Sequence, residues 1–196
     1  MSTNEQNIYT QAVHAGERGP RPDFTPVVTP IYNSVGYLYE SMDQLDAVFG
    51  GEREGYVYTR YGTPTNAALE QAVATLEGGE AAEVSAAALS FASGMAAIHA
   101  ALLATGLEAG QAVVSAQDVY GATYALLANL FTSLGVRVRF VDAASLTADL
   151  ASVERAIAEE KPRAVFCEII SNPLLKVADV PAVADLAHAQ IGRAHV

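Results

Sequence analysis

From residue 65 onward the chain alternates between apolar runs of two kinds. "NAALEQAVATLE" (66–77) reads as a helix that starts after Pro64 and stops at Gly78 and Gly79. "AALSFA" (87–92) is strand-like, and "SGMAAIHAALLATGL" (93–107) is a glycine-containing turn feeding a helix. "QAVVSA" (111–116) predicts a strand, "GATYALLANLFTSLG" (121–135) a helix, "VRVRFVD" (136–142) a strand and "LASVERAIAEE" (150–160) a helix. "RAVFCEI" (163–169) predicts a last strand and "VPAVADLAHAQ" (180–190) a last helix. Strands of this length separated by longer helices form βαβ units around a mostly parallel sheet, so an α/β fold is expected. Ligands of such sheets bind at the carboxyl ends of the strands. Four strand ends are therefore candidate sites.

Residues 1–60 differ. Pro20, Pro22, Pro26 and Pro30 interrupt them, and no sustained helical or alternating pattern runs through. A long irregular segment is uncommon in a compact domain unless it is functional or packs on something else. Tyr32, Tyr37, Tyr39, Phe49, Tyr56, Tyr58 and Tyr61 argue for packing, since disordered tails are poor in aromatics. The expectation is an extended arm over residues 1–60 that reaches a partner subunit, followed by an α/β domain over 61–196.

Composition narrows the partners. Of 196 residues 51% are hydrophobic, enough for a sizeable core, and 22 acidic against 11 basic residues give a formal net charge of -11. That charge repels nucleic acid and anionic membranes and leaves small molecules or protein as partners. Any anion site must be local. No apolar run is long enough for a membrane span and the start resembles no signal peptide, so a cytoplasmic location is expected. Cys167, the single cysteine, lies in an apolar run and reads as a buried inert thiol.

The strand ends carry the candidate chemistry. Ser93, Gly94 and Met95 sit where a strand turns into a helix, so exposed backbone N–H groups and the positive helix end offer a phosphate nest. A tight turn with glycine for steric reasons reads equally well. Tyr120, between a strand and a helix, is placed to lay a ring on a planar ligand, or is an ordinary packed tyrosine. Asp118 and Thr123 beside it suit helix capping as well as ligand contact. Asn172 precedes Pro173, whose ring holds it away from helical geometry and can aim its amide at a cleft; N-P is also a frequent turn. Glu168 ends a strand as a buried carboxylate that needs a partner. On the arm, Tyr58 and Arg60 can offer a phenol and paired guanidinium donors to a phosphate, or be a packed tyrosine beside a surface arginine. Together these suggest a phosphorylated planar cofactor shared across a dimer interface.

The ordered pieces "TQAVHAG", "TPIYNSVGY", "YVYTRYGTPTNAALEQAVATLEGGEAA", "FASGMAAI", "DVYGATY" and "EIISNPLLKVADVPAVADLAH" resemble the amino-terminal half of the Cys/Met metabolism (trans-sulfuration) family of pyridoxal 5'-phosphate enzymes, over roughly residues 10–189. That family includes cystathionine gamma-synthase, cystathionine lyases, methionine gamma-lyase and O-acetylhomoserine sulfhydrylase. The resemblance implies a fold type I, aspartate-aminotransferase-like large domain, truncated before its sheet is complete. It implies pyridoxal 5'-phosphate as cofactor and elimination or replacement on sulfur-containing or O-activated amino acids, in a homo-oligomer with shared sites, a tetramer in the full-length enzyme. By the same resemblance Tyr58 and Arg60 bind the phosphate of the neighbouring subunit, and Ser93, Gly94 and Met95 cradle that of their own. Tyr120 stacks on the ring and handles protons, Asn172 contacts the ring hydroxyl and the substrate carboxylate region, and Glu168 is a carboxylate near the pocket.

Three departures stand out. Thr63 occupies a position where the family commonly has asparagine, and the stretch 81–95 is a few residues longer than usual. After "ADLAHA" the chain reads "QIGRAHV", without the family's later aspartate for the pyridine nitrogen or its cofactor-binding lysine. Lys161 and Lys176 are the only lysines, and neither matches that position. The alternative expectation is thus an inactive truncated fragment.

Overall fold

The computed structural model describes residues 25–78, 86–142 and 150–191. The chain divides into two compact units, Met1–Ser90 and Phe91–Val196. No described helix is long and apolar enough to cross a membrane.

In the first unit a helix that the sequence pattern did not predict, α1 (Met42–Phe49), lies within the segment expected to be an extended arm. Its start is nevertheless encoded locally. The Ser41 hydroxyl accepts from the Gln44 amide at 3.3 Å, and the Gln44 side chain reaches back to accept from the Glu40 amide just before the cap. Gly50 and Gly51 follow, the latter at φ +73, a left-handed conformation that stops the helix. Tyr39 then clips the returning chain: its hydroxyl donates to the Tyr56 carbonyl at 2.9 Å and accepts from the Tyr56 amide at 3.2 Å. Gly36 bridges to Tyr58, and the Thr59 amide donates to the Val35 carbonyl. A 3-10 turn (Thr59–Tyr61) leads into α2 (Pro64–Gly78), where the Thr63 hydroxyl accepts from the Asn66 amide. Thr63 therefore supplies the capping oxygen that asparagine would. Glu70 on α2 accepts from both the amide and the hydroxyl of Ser90, each at 2.8 Å.

The predicted strand at 87–92 does not form. Leu89 is 73% exposed, and no neighbouring strand lies beside it among the described residues. A strand exists only through its ladder, so apolar character alone does not produce one. The described sheet accordingly offers three strand ends, not four.

The second unit is α/β, as expected. Helix α3 (Gly94–Ala104) precedes a three-stranded parallel sheet of order β2-β1-β3, formed by β1 (Ala112–Ala116), β2 (Arg137–Val141) and β3 (Ala164–Phe166). β1 is central and buried throughout, which is why it reads as an unbroken apolar run. Its alternate residues feed two cores. Val114 and Ala116 join Val153, Ala156 and Ile157 of α5 (Ala151–Glu160) and Val183 of α6 (Val180–Ile191). Val113 joins Leu102 of α3 and Leu127 and Phe131 on the other face. There the predicted helix 121–135 splits into α4 (Gly121–Ala125) and a π-helical stretch (Leu126–Phe131), whose wider turn brings Leu127 and Phe131 together into that core. The outer edge of β3 has no partner strand among the described residues, and a cavity of about 260 Å³ there is lined by Ala101, Leu102, Val165, Cys167, Val183 and Ala187.

Candidate functional site

The first site element is the start of α3. Ser93 is extended and its hydroxyl accepts from the Ala96 amide at 3.1 Å, while its carbonyl accepts from the Ala97 amide. The first of these bonds satisfies one of the four orphan donors of the helix, and the second is its first regular turn. The amides of Gly94 and Met95 have no acceptor among the described residues. A Cβ on Gly94 would meet nothing within 4 Å, so the backbone there lies open. Aligned peptide dipoles add partial positive charge at this end. The serine's oxygen accepts in capping, which leaves its O–H and the two amides as donors at this turn.

The second element follows β1. Tyr120 is 50% exposed, and its amide donates to Glu168 Oε1 at 2.9 Å. Glu168 is half-buried rather than fully buried, and this main-chain donor is the partner that the sequence left unseen. Asp118 and Thr123 are not helix caps. Thr123 is buried and donates to Met95 Sδ at 3.7 Å, which holds the turn after β1 against the start of α3. Asp118 forms an ion pair with Lys176.

The third element follows β3. Residues 170–177 close a small hairpin through an Ile170–Val177 bridge and the Ser171 amide donating to the Lys176 carbonyl at 2.9 Å. Asn172 is exposed at its tip and precedes a cis peptide bond to Pro173. The second unit therefore joins Tyr120 to Glu168 and Met95 to Thr123 of the helix after Tyr120, and carries Asn172 on the same post-β3 segment as Glu168.

Tyr58 and Arg60 belong to the first unit. The guanidinium lies 5.0 Å from the centre of the Tyr58 ring and 5.8 Å from that of Tyr61, a cation–π arrangement that leaves its N–H edge free. Arg60 is exposed and has no carboxylate partner among the described residues.

Neither lysine is a free amine at the strand ends. Lys161 terminates α5 in a left-handed conformation at the amino end of β3, opposite the site. Lys176 is engaged by Asp118, and that hydrogen bond raises its pKa above the ordinary lysine value. Burial pushes the Cys167 thiol up, which keeps it protonated and unreactive, in line with its expected inert role although it is only half-buried. Sequence reasoning did not anticipate the Lys176 ion pair. Its partners are 58 residues apart, with no local signature.

The profile of the family described as "Cys/Met metabolism PLP-dependent enzyme" matches residues 9–196. The chain belongs to this family. It is 37% identical over 188 residues to an L-methionine gamma-lyase of Fusobacterium nucleatum subsp. polymorphum, covering 96% of this chain and 44% of that protein. It is 38% identical over 178 residues to an O-acetyl-L-homoserine sulfhydrylase of Leptospira meyeri, covering 91% and 37%. A solved structure of an O-acetylhomoserine (thiol)-lyase assignment from Campylobacter jejuni, carrying N'-pyridoxyl-lysine-5'-monophosphate, superposes with a TM-score of 0.68 at 32% identity, covering 83% of this chain and 36% of that one. The second unit's parallel α/β architecture is thus that of fold type I pyridoxal-phosphate enzymes. The chain spans less than half the length of these relatives.

Proposed function

We propose that this chain provides the phosphate-binding and ring-binding strand ends of a pyridoxal 5'-phosphate enzyme that performs elimination or replacement on sulfur-containing or O-activated amino acids. The observation that carries the reading is the pair of unpartnered amides at Gly94 and Met95, at the open amino end of an eleven-residue helix beside an exposed tyrosine. These donors fit a phosphorylated planar group: two N–H groups and a helix dipole for the anion, and a ring for the plane. When bound, pyridoxal phosphate supplies an electron sink that stabilises negative charge at the amino acid's α-carbon.

The chain's own residues divide the remaining work. Gly94 and Met95 donate to the phosphate, and Ser93 keeps their amides directed outward by capping the turn. Tyr120 covers the ring, and its phenolic oxygen holds a proton for the substrate or leaving group. Glu168 fixes the backbone of Tyr120, and Asn172 orients the substrate carboxylate with its amide. Tyr58 and Arg60, the latter without a carboxylate partner among the described residues, reach the phosphate of a second copy of the chain, in a shared-site dimer that assembles into a tetramer.

The lysine geometry favours a second reading, in which the chain binds cofactor without turnover. Lys176 is engaged by Asp118 and Lys161 lies at the far end of the sheet. The two readings part in one experiment. Pyridoxal phosphate is titrated into the chain and followed by its absorbance, and the loaded protein is then given methionine, or O-acetylhomoserine with sulfide. Saturable binding with product supports the enzyme, and binding without product supports the second reading. No saturable binding refutes both.

A further inference from the structure

One ammonium group ties together the carboxyl ends of all three strands. Lys176 is paired with Asp118 Oδ2, and its Nζ lies 3.8 Å from Asp142 Oδ1. Asp118 stands two residues beyond β1 and Asp142 directly follows β2. Lys176 itself rides on the hairpin after β3, whose backbone places it: its amide donates to Ser171 Oγ at 3.1 Å and its carbonyl accepts from the Ser171 amide. Ser171 is buried, so the base of the hairpin is anchored.

The segment 117–120 is held from the same side twice. Lys176 grips the Asp118 carboxylate, and Glu168 accepts from the Tyr120 amide. Both clamps come from the chain that leaves β3. A small space among Asp118, Glu168, Ser171 and Lys176 marks where the two meet.

We propose that Lys176 is a positioning residue, which fixes the Tyr120 ring over the cofactor by pinning Asp118 against the 170–177 hairpin. This rests on the assignment of Tyr120 as the ring-covering residue. Asp118 is the more buried partner, with 19% of its side chain exposed against 38% for Lys176. The pair is therefore sheltered enough to hold a geometry that a fully exposed pair would not keep.

The experiment compares the wild-type chain with Lys176→Met, Lys176→Arg and Asp118→Asn. Two quantities are measured: residue-resolved amide exchange without ligand, and affinity for pyridoxal 5'-phosphate. Exchange at Tyr120 is expected to speed up by roughly two- to fivefold in Lys176→Met and in Asp118→Asn, the range open to one partly exposed ion pair. It should return towards wild type in Lys176→Arg, while Val113 and Val114 of β1 do not change. Cofactor affinity should fall by a similar factor in the Met and Asn variants. The proposal is overturned if Tyr120 exchange is unchanged in both variants, or if it rises together with the β1 amides and arginine restores nothing. It is also overturned if Tyr120 loosens without loss of affinity. A wild-type chain that binds no pyridoxal phosphate refutes the cofactor assignment instead, and the exchange data then decide by themselves whether Lys176 holds the segment.

Discussion

Replacing Ser93 by aspartate separates the structural role of the α3 start from its role in binding an anion. Aspartate is as good a helix cap as serine, and its oxygen can accept from the Ala96 amide as the hydroxyl now does. Its charge also interacts favourably with the helix dipole, by about 0.3–1 kcal/mol. Unfolding stability should therefore hold or rise slightly. Binding should move the other way, because the new carboxylate adjoins the two free amides at Gly94 and Met95 that are proposed to hold the phosphate. Two like unit charges roughly 6 Å apart repel by about 0.7 kcal/mol in water and about 3 kcal/mol at an effective dielectric constant of about 20. The corresponding loss of affinity is between about threefold and a hundredfold for each phosphate charge. Ser93→Ala is the control: it removes the cap at a cost of about 1 kcal/mol but frees a third amide and adds no charge, so its affinity should fall less than that of Ser93→Asp. Denaturant unfolding gives the stability, and fluorescence or absorbance titration with pyridoxal phosphate gives the affinity. If Ser93→Asp binds as tightly as wild type at equal stability, no phosphate sits on these amides and the site assignment is wrong.

Gly55→Ala tests the arm. A Cβ there would lie 2.5 Å from the Tyr39 hydroxyl and 2.9 Å from Val48, and the hydroxyl is held by both backbone groups of Tyr56, so it cannot simply swing aside. Loss of about 1–3 kcal/mol is expected by thermal unfolding, with Tyr39→Phe accounting for the hydrogen-bonded part. Stability should also bend at both ends of the pH scale. The hydrogen bonds from Ser90 hold the Glu70 carboxyl below its ordinary value, so its contribution is complete above about 4.3 and disappears as pH falls through the lower folded-state value. Lys176 has the opposite sign: its contribution is complete below about 10.4 and is lost as pH rises through the raised folded-state value. Unfolding midpoints measured across pH should lose the acid limb's share in Glu70→Gln and the alkaline limb's share in Lys176→Met.

How much of this was legible depended on whether the information was local. The run "QAVVSA" identified β1 because a central strand is buried on both faces and needs no polar alternation. "AALSFA" has the same apolar character and forms no strand, because the ladder partner it requires is not a property of its own sequence. α1 was encoded by Ser41, Gln44 and the Gly50–Gly51 pair, but its eight residues were too few to show a period among the arm's aromatics. The site divides in the same way. A turn such as Ser93–Gly94–Met95 announces a helix start with open amides. By contrast, the contacts of Tyr120 with Glu168 and of Asp118 with Lys176 join residues 48 and 58 positions apart. Only the folded sheet brings these together.

Those long-range contacts also bear on how a chain of net charge -11 would present the proposed anion site. Each of the three strand ends carries a carboxylate: Asp118 after β1, Asp142 after β2 and Glu168 after β3. Left unpaired, three acids at the carboxyl ends of the strands would oppose the partial charge of one helix end. Glu168 instead spends an oxygen on the Tyr120 amide, and Lys176 sits against Asp118 with Asp142 close by. More distant surface acids matter little, since exposed charges are screened beyond about 8–10 Å at ordinary ionic strength. The field at Gly94 and Met95 is therefore set by their own helix and by how completely the strand-end acids are engaged. It follows that a loss of anion affinity in Lys176→Met is electrostatic if it shrinks as salt is added, whereas a loss caused by a displaced Tyr120 ring does not respond to salt.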